Sequence, residues 1–417
     1  MSSHPVLTAV SERRGPALAA VHVKGVVDLT LTVHTIVTVE ALRALGPEIQ
    51  VLLARTAHGN VPFLLHDWLT AWWRHFALAG RLCGDSLSAF VVRDNRAELV
   101  GFLPMMLTQR PAFGPVRTRA LRFLGADPNI SEVRLAVVAD DMGAQVGRAI
   151  GRHLQSIDGW DWIQWTGLIR DSPFASALES ELGLEWGAEL PGYVLRLPDS
   201  WEDFRQGQSR HVKKSLRHCY RSLERDGLQA DVTIAETPES VPAALQTFFR
   251  LHRLRAQAKN MVPHPDTFRT KASRMFLTDV MTQLAGTGVA KIFSLSVGNE
   301  VVACRVIFRL PDCVYLYYSG YDPEWSKYSV MTTTVAEIIK YAIDRRISTV
   351  HLSTGRDSSK TRWCPEEVLF HEAYTVKPTA FSHLALRAYK LARKGRSGAM
   401  VQQLKFLPST VLAQYRW

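Results

Sequence analysis

Apolar and polar positions form long periodic blocks along this chain, and the clearest blocks lie in its C-terminal half. Asp231-Val-Thr-Ile-Ala-Glu236 alternates and predicts a strand. From Pro238 to Lys259 the apolar period is helical, with Val241, Leu245, Phe248, Phe249 and His252 on one face. Asp266 to Ala285 predicts a second helix. Three strand-like runs follow: Val289–Val297, Glu300–Leu310 and Cys313–Tyr321. The turn pairs Gly298-Asn299 and Pro311-Asp312 separate them. A helix over Val330–Arg346 and strands over Thr349–Ser353 and Val368–Val376 complete the order β-α-α-β-β-β-α-β-β.

The first half repeats nearly the same order. Leu29–Val33 alternates as a strand, and Val39–Arg55 and Leu65–Ala79 predict helices. Leu87–Arg93 and Glu98–Thr108 are strands flanking Asp94-Asn95, and Arg119–Leu124 is a third. Met142–Ile157 is helical and Asp161–Thr166 a strand. Gly143, Gly147 and Gly151 recur every four residues and predict a close-packing helix face. One order written twice implies a tandem fold without repeated residue identities. The expected division is an extension over 1–27, a first domain over 28–195, a second over 196–380 and a tail over 381–417. The fold class is α/β in the mixed α+β sense: two domains, each a mostly antiparallel central sheet flanked by helices.

Composition narrows the picture. The 417 residues are 47% hydrophobic and 21% charged, which excludes a largely disordered chain. No stretch of about 18 apolar residues predicts a membrane span. Arg13-Arg14 is followed by Gly15-Pro16 and few apolar residues, so no twin-arginine signal is expected. The five cysteines contain no CxxC pair, which argues against a disulfide framework or zinc cage and for a reducing, cytoplasmic setting. The net charge is +11, yet no acid follows Glu372 while eight bases do. That concentrates the basic excess in the tail and suggests an anionic surface near it. Within His383–Gly395 a helix sets Leu384, Ala388 and Leu391 on one face and Arg387, Lys390 and Lys394 on another. This pattern suits peripheral contact with an anionic membrane, or a strap docked on the second domain.

Several motifs resemble those of the tandem-GNAT acyltransferases typified by the CelD/BcsL cellulose-biosynthesis acetyltransferases, a family related in fold to FemAB. They are Pro62-Phe63 with Trp68 and Trp72-Trp73, Trp160-Asp161, and the basic helix Arg210–Arg225. Phe249-x-x-His252-x-x-Arg255, Tyr321-Asp322-Pro323-x-Trp325 and Ser353-Thr354-Gly355 through Lys360 and Trp363 complete the set. The likeness spans about residues 30–380. It departs at Ser329-Val330, where the family has Pro-Gly, and at Ser359-Lys360, where it often has Tyr-Lys. The resemblance implies acetyl-CoA or another acyl-CoA as donor and no metal. The common phosphate-loop motif Q/R-x-x-G-x-G/A is absent, so the coenzyme rests on resemblance and topology.

Acyl transfer needs an anchor for the pyrophosphate, a donor for the thioester carbonyl and a base for the acceptor. The late helix of the first half opens with Asp140-Asp141, which repel phosphate. That of the second half opens with Lys327, Ser329 and Thr332 and has no acid between Glu324 and Glu337, so the second half is the expected acyl site. Ser329 also suits a plain N-cap. Candidate catalytic residues are His252, Tyr318, Asp322 and His351. Candidate substrate contacts are Arg255, Tyr321, Ser353, Gly355, Lys360 and Trp363. Strand alternation sets Tyr315, Tyr317 and Tyr321 on one face and Tyr318 on the other. Each of these residues also has a packing, turn or capping role open to it. The acceptor expected is an envelope or exopolysaccharide sugar or a small metabolite. Two rivals stand: a FemAB-like aminoacyltransferase whose basic helix meets tRNA phosphates, the one nucleic acid the reading admits, and a non-catalytic accessory of a polysaccharide synthase.

Overall fold

The computed structural model describes residues 31–57, 59–80, 83–112, 116–126, 130–258 and 264–402, the side chains of the last helix as far as residue 393. The expected extension over 1–27, with Arg13-Arg14, and the tail beyond 402 lie outside the described residues.

The first half runs β1 (Thr32–Ile36), α1 (Val39–Ala44), α2 (Gly46–Leu53), α3 (His66–Phe76), β2 (Gly84–Leu87), β3 (Ala89–Arg93), β4 (Leu99–Leu103), β5 (Met105–Pro111), β6 (Arg117–Phe123), β7 (Val137–Val138), α4 (Gly143–Ser156), β8 (Trp162–Leu168), α5 (Pro173–Leu182) and β9 (Glu185–Arg196). The second runs α6 (Trp201–Gly207), α7 (Arg210–Arg225), β10 (Ala230–Ala235), α8 (Val241–Gln257), α9 (Lys271–Gly286), β11 (Ala290–Val297), β12 (Glu300–Arg309), β13 (Cys313–Tyr321), α10 (Val330–Asp344), β14 (Thr349–Thr354), α11 (Ser358–Thr361) and β15 (Glu366–Val376), closed by α12 (Ala380–Gln402).

Two sheets carry this order, both mostly antiparallel, and the fold is mixed α/β as the pattern implied. The smaller is β1-β3-β4-β7 and the larger β10-β11-β12-β13-β14-β9-β15-β8-β6-β5-β2. The expected strands Leu87–Arg93 and Glu98–Thr108 are each broken, at Ser88 and at Pro104. Pro104 has no N–H to give a ladder, so the hairpin divides there between the sheets.

Two strand pairs are parallel, β6 with β8 and β13 with β14. A parallel neighbour requires a crossover, supplied by α4 in one half and α10 in the other. This repeated unit is the tandem signal in the sequence. The halves also interlock. β9, from the first half, lies between β14 and β15, while β15 returns to pair with β8.

One apolar core runs through both halves. Trp68 on α3 meets Phe276 on α9 edge-on at 5.0 Å, and Phe63 meets Tyr315 at 5.3 Å. The glycine face of α4 seats on α5: a Cβ at Gly147 would lie 2.7 Å from Ala177 Cβ, and one at Gly151 2.5 Å from Glu181 Cβ. α12 docks through Ala385, Leu386 and Tyr389 onto Ala120, Trp162 and Tyr374. Its expected apolar face is therefore turned outward: Leu384 and Leu391 are 57% and 70% exposed. The strap expectation held that these two leucines dock, and other residues of the helix do so instead.

Candidate active site

β13 and β14 stay paired only where Cys313–Tyr315 faces Thr349–His351. Beyond that point both are distorted. The β12–β13 register slips between Arg305 and Ile307, so that Val306 opposes both Tyr317 and Tyr318. This is a bulge, which bends a strand and re-aims its side chains. On β14 the register with β9 shifts after His351, and Ser353 adopts a left-handed φ of 71°. The two strands part, and a cavity of about 910 Å³ opens between them and the first half. The bulge corrects the expectation that Tyr318 faces away from Tyr317: the rings meet edge-on at 4.6 Å.

The start of α10 opens into this cavity. Ser329, at φ 55° and ψ 40°, joins the turn Pro323–Tyr328 to the helix. Thr332 and Thr333 return their N–H groups to the Ser329 carbonyl at 2.7 and 3.3 Å. The amides of Val330 and Met331 have no acceptor among the described residues, and the first turn holds no acid. Ser326, Ser329 and Thr332 line the wall here. Free amides at a positive helix end make an anion site. The matching end of the first half is occupied: Asp140 accepts the Ala57 N–H at 3.1 Å, and Asp141 pairs with Arg55 at 3.8 Å.

Across the cavity lies Glu132, which sequence reasoning missed. Its Oε2 accepts hydrogen bonds from the Tyr315 hydroxyl and from Ser353 Oγ, each at 2.7 Å. Burial pushes its carboxyl above the ordinary carboxylate range, opposed by those two bonds and by the charges of Lys360 and Arg305. The Tyr315 hydroxyl, buried beside this acid, is pushed up as well. A carboxylate with a raised pKa is a stronger base than an ordinary one, and here it faces a chamber large enough for substrate. Glu132 stands alone in Ser131-Glu-Val-Arg134, outside any predicted element, so no periodicity or motif pointed to it.

Cations line the same chamber, Arg255, Lys360 and Arg305 among them. Arg255 donates to Ser319 Oγ at 2.8 Å and lies over the Tyr321 ring. Lys360 donates to the carbonyls of Thr354 and Gly355, tying the loop after β14 back on itself. Arg305 has an Nε without an acceptor among the described residues. Burial lowers the pKa of all three, that of Arg305 to about 10; the charge of Arg255 adds to the effect on Arg305 and Lys360, and that of Arg305 to the effect on Lys360. His264, also missed from sequence, lines the cavity neutral, its pKa driven down to about 3 by burial and by Arg255.

Nine of the sequence-predicted residues line this one chamber: Arg255, Tyr318, Tyr321, Ser329, Thr332, Ser353, Gly355, Lys360 and Trp363. Four do not. His252 is fully buried, its Nδ1–H donating to the Ser319 carbonyl at 2.9 Å and its ring packed among Phe248, Phe268 and Tyr318. It backs the wall, so the expectation that it meets substrate is corrected by its enclosure. His351 stacks on Tyr315 behind the wall at 5.8 Å. Asp322 caps the turn after β13, accepting the Glu324 N–H at 3.0 Å. Lys327 is exposed with its Nζ over Tyr328, pointing outside the chamber that Ser329 enters.

Residues 210–361 match the family model described as the acetyltransferase (GNAT) domain. The match lies within the second half, and β13, α10 and β14 fall inside it. The crystal structure of FemX is similar over 85% of this chain and 99% of that one, with a TM-score of 0.57 at 10% identity, which shows a shared fold across both halves. A conserved protein of unknown function from Bacteroides thetaiotaomicron aligns at 12% identity over 83% of this chain and 100% of that one, with a TM-score of 0.49. A tandem GNAT protein from the clavulanic acid biosynthesis pathway aligns at 10% identity over 84% and 100%, with a TM-score of 0.40. No curated protein matches the chain in sequence.

Proposed function

We propose that this protein is a tandem-GNAT N- or O-acyltransferase, with domains over about 28–195 and 196–380, using acetyl-CoA or a longer acyl-CoA. The observation that carries this is the convergence of the open α10 start and the raised-pKa Glu132 on one chamber at the β13–β14 divergence. The coenzyme pyrophosphate sits on the amides after Ser329, which places the thioester between the parted strands. Glu132 takes the proton from the acceptor's amine or hydroxyl. The new C–N or C–O bond forms, the C–S bond breaks, and the proton held on Glu132 balances the one the departing thiolate needs. The acceptor is an envelope or exopolysaccharide sugar or a small metabolite.

The test is calorimetric titration with coenzyme A and acetyl-CoA, with mass spectrometry of purified protein to find a retained thioester. Micromolar binding of the coenzyme supports the reading, and no heat with any acyl-CoA overturns it.

A second reading, aminoacyl transfer from charged tRNA, is favoured by one observation. α7 exposes Arg210, Lys214, Arg217 and Arg221 along one face, none of them in an ion pair with the described residues. RNA binding that falls steeply with salt, without affinity for coenzyme A, selects this reading instead.

A further inference from the structure

The deep end of the chamber holds more positive charge than its own residues neutralise. Arg255, Arg305 and Lys360 reach into it, and none forms an ion pair with a described carboxylate. Four acids line the chamber, and Glu189 and Glu372 are paired with His371 and Arg393, which leaves Asp357 and Glu132. Asp357 caps its own helix, accepting the Ser359 N–H at 2.7 Å, and its single charge acts on all three cations without forming an ion pair with any of them. Glu132 is engaged by Tyr315 and Ser353. Buried charge without a partner is costly, and clustered like charges cost more. Such a cluster persists in a fold where a ligand completes it.

We propose that these three cations bind a carboxylate or phosphate group of the acceptor, so that the acyl group is transferred to an anionic molecule. This rests on the acyltransferase reading for the word acceptor, while the anion site stands on the cluster itself. On the acyltransferase reading, two points assign the anion to the acceptor rather than to the coenzyme. The coenzyme pyrophosphate has its own donors at the start of α10. The charges of Lys360 and Arg305 act on Glu132, the group that must touch the acceptor's nucleophile, so an anion held there lies on the acceptor side. Arg305 suits the role best, because a guanidinium offers a planar fork to either anion and Nε is still free.

The experiment is calorimetric titration of the full chain, saturated with coenzyme A, with inorganic phosphate and separately with acetate. Glucose serves as the neutral control. At least one anion is expected to bind and glucose not. Arg305→Met should weaken anion binding at least about tenfold and leave coenzyme A affinity within about twofold, and Lys360→Met is the second variant if Arg305→Met does not fold. Equal anion affinity in the variants, or no binding of either anion, overturns the proposal. Phosphate binding that coenzyme A abolishes by competition also overturns it, since the cluster is then the coenzyme's own subsite. Should coenzyme A fail to bind, the acyltransferase reading falls, and the same titrations on the free protein still decide the anion site.

Discussion

Tyr315 donates its hydroxyl hydrogen to Glu132 at 2.7 Å, across 183 residues of sequence. One partner lies on β13 of the second half, and the other comes from the segment before β7 in the first. Ser353, from β14, reaches the same oxygen. The base of the proposed reaction is therefore delivered by one half into the strand divergence of the other. The interlocked β9 and β15 hold the two in register.

Replacing Glu132 with Gln should lower kcat/KM by about 10² to 10⁴, the usual worth of a positioned base. In the wild type the acid limb of the pH–rate profile should follow the raised pKa of Glu132 and vanish in the variant. Stability gives an independent sign. A carboxyl whose folded pKa is raised above 4.5 binds its proton more tightly when folded. Its contribution is complete below the unfolded pKa and is lost as pH rises through the folded one. Glu132→Gln should therefore flatten a fall in stability above about pH 4.5, read by denaturant titration at several pH values.

Ser329→Asp separates helix capping from coenzyme binding. A negative charge at this helix start should stabilise the fold by about 0.3–1 kcal/mol, and Asp tolerates the left-handed conformation. The same charge should repel a pyrophosphate and weaken coenzyme A binding at least about tenfold. A melting curve and a calorimetric titration on one sample read the two effects. A loss of stability with unchanged affinity would assign Ser329 to the fold alone.

Gly320→Ala tests how closely α8 lies on β13. A Cβ at this position would sit 2.4 Å from the His252 nitrogen and 2.7 Å from the Leu251 carbonyl carbon, both backbone atoms. Neither can rotate away, so the helix must shift. The expected cost is about 1–3 kcal/mol, measured by chemical denaturation. An unchanged midpoint would mean that α8 moves freely on the sheet.

α12 offers a prediction about surfaces. Leu384 and Leu391 project outward beside Arg387, while Arg393 is tied to Glu372 and Tyr374. If this face meets an anionic membrane, the double variant Leu384→Ser with Leu391→Ser should pellet less with anionic vesicles at low salt. Stability should change by less than about 0.5 kcal/mol, because neither side chain is buried. Point variants are preferable to truncation, which would uncover Trp162 and Tyr374. Equal pelleting of wild type and variant would reject the membrane reading.

The sequence by itself determined the element order of the second half and the contrast between the two helix starts, but neither α5 nor β9, the strand that lies between β14 and β15. These are local properties. Strand alternation at Asp231–Glu236, helical period at Val241–His252 and the acids at Asp140-Asp141 are each written within a few residues of where they act. It also singled out the polar segment Ser353–Lys360, because a hydrophilic loop after an apolar strand is visible in one dimension. Only the tertiary structure decided which of those side chains meet. A one-residue bulge opposite Val306 brought Tyr318 against Tyr317, and alternation cannot register such a slip before the strands pair. His252 was a catalytic candidate through the motif it shares with Phe249 and Arg255, and the approach of Gly320 enclosed it. Glu132 carried no local signal at all. Its chemistry comes from burial and from partners 183 and 221 residues away, and desolvation at such a distance in sequence arises only when the two halves share one chamber.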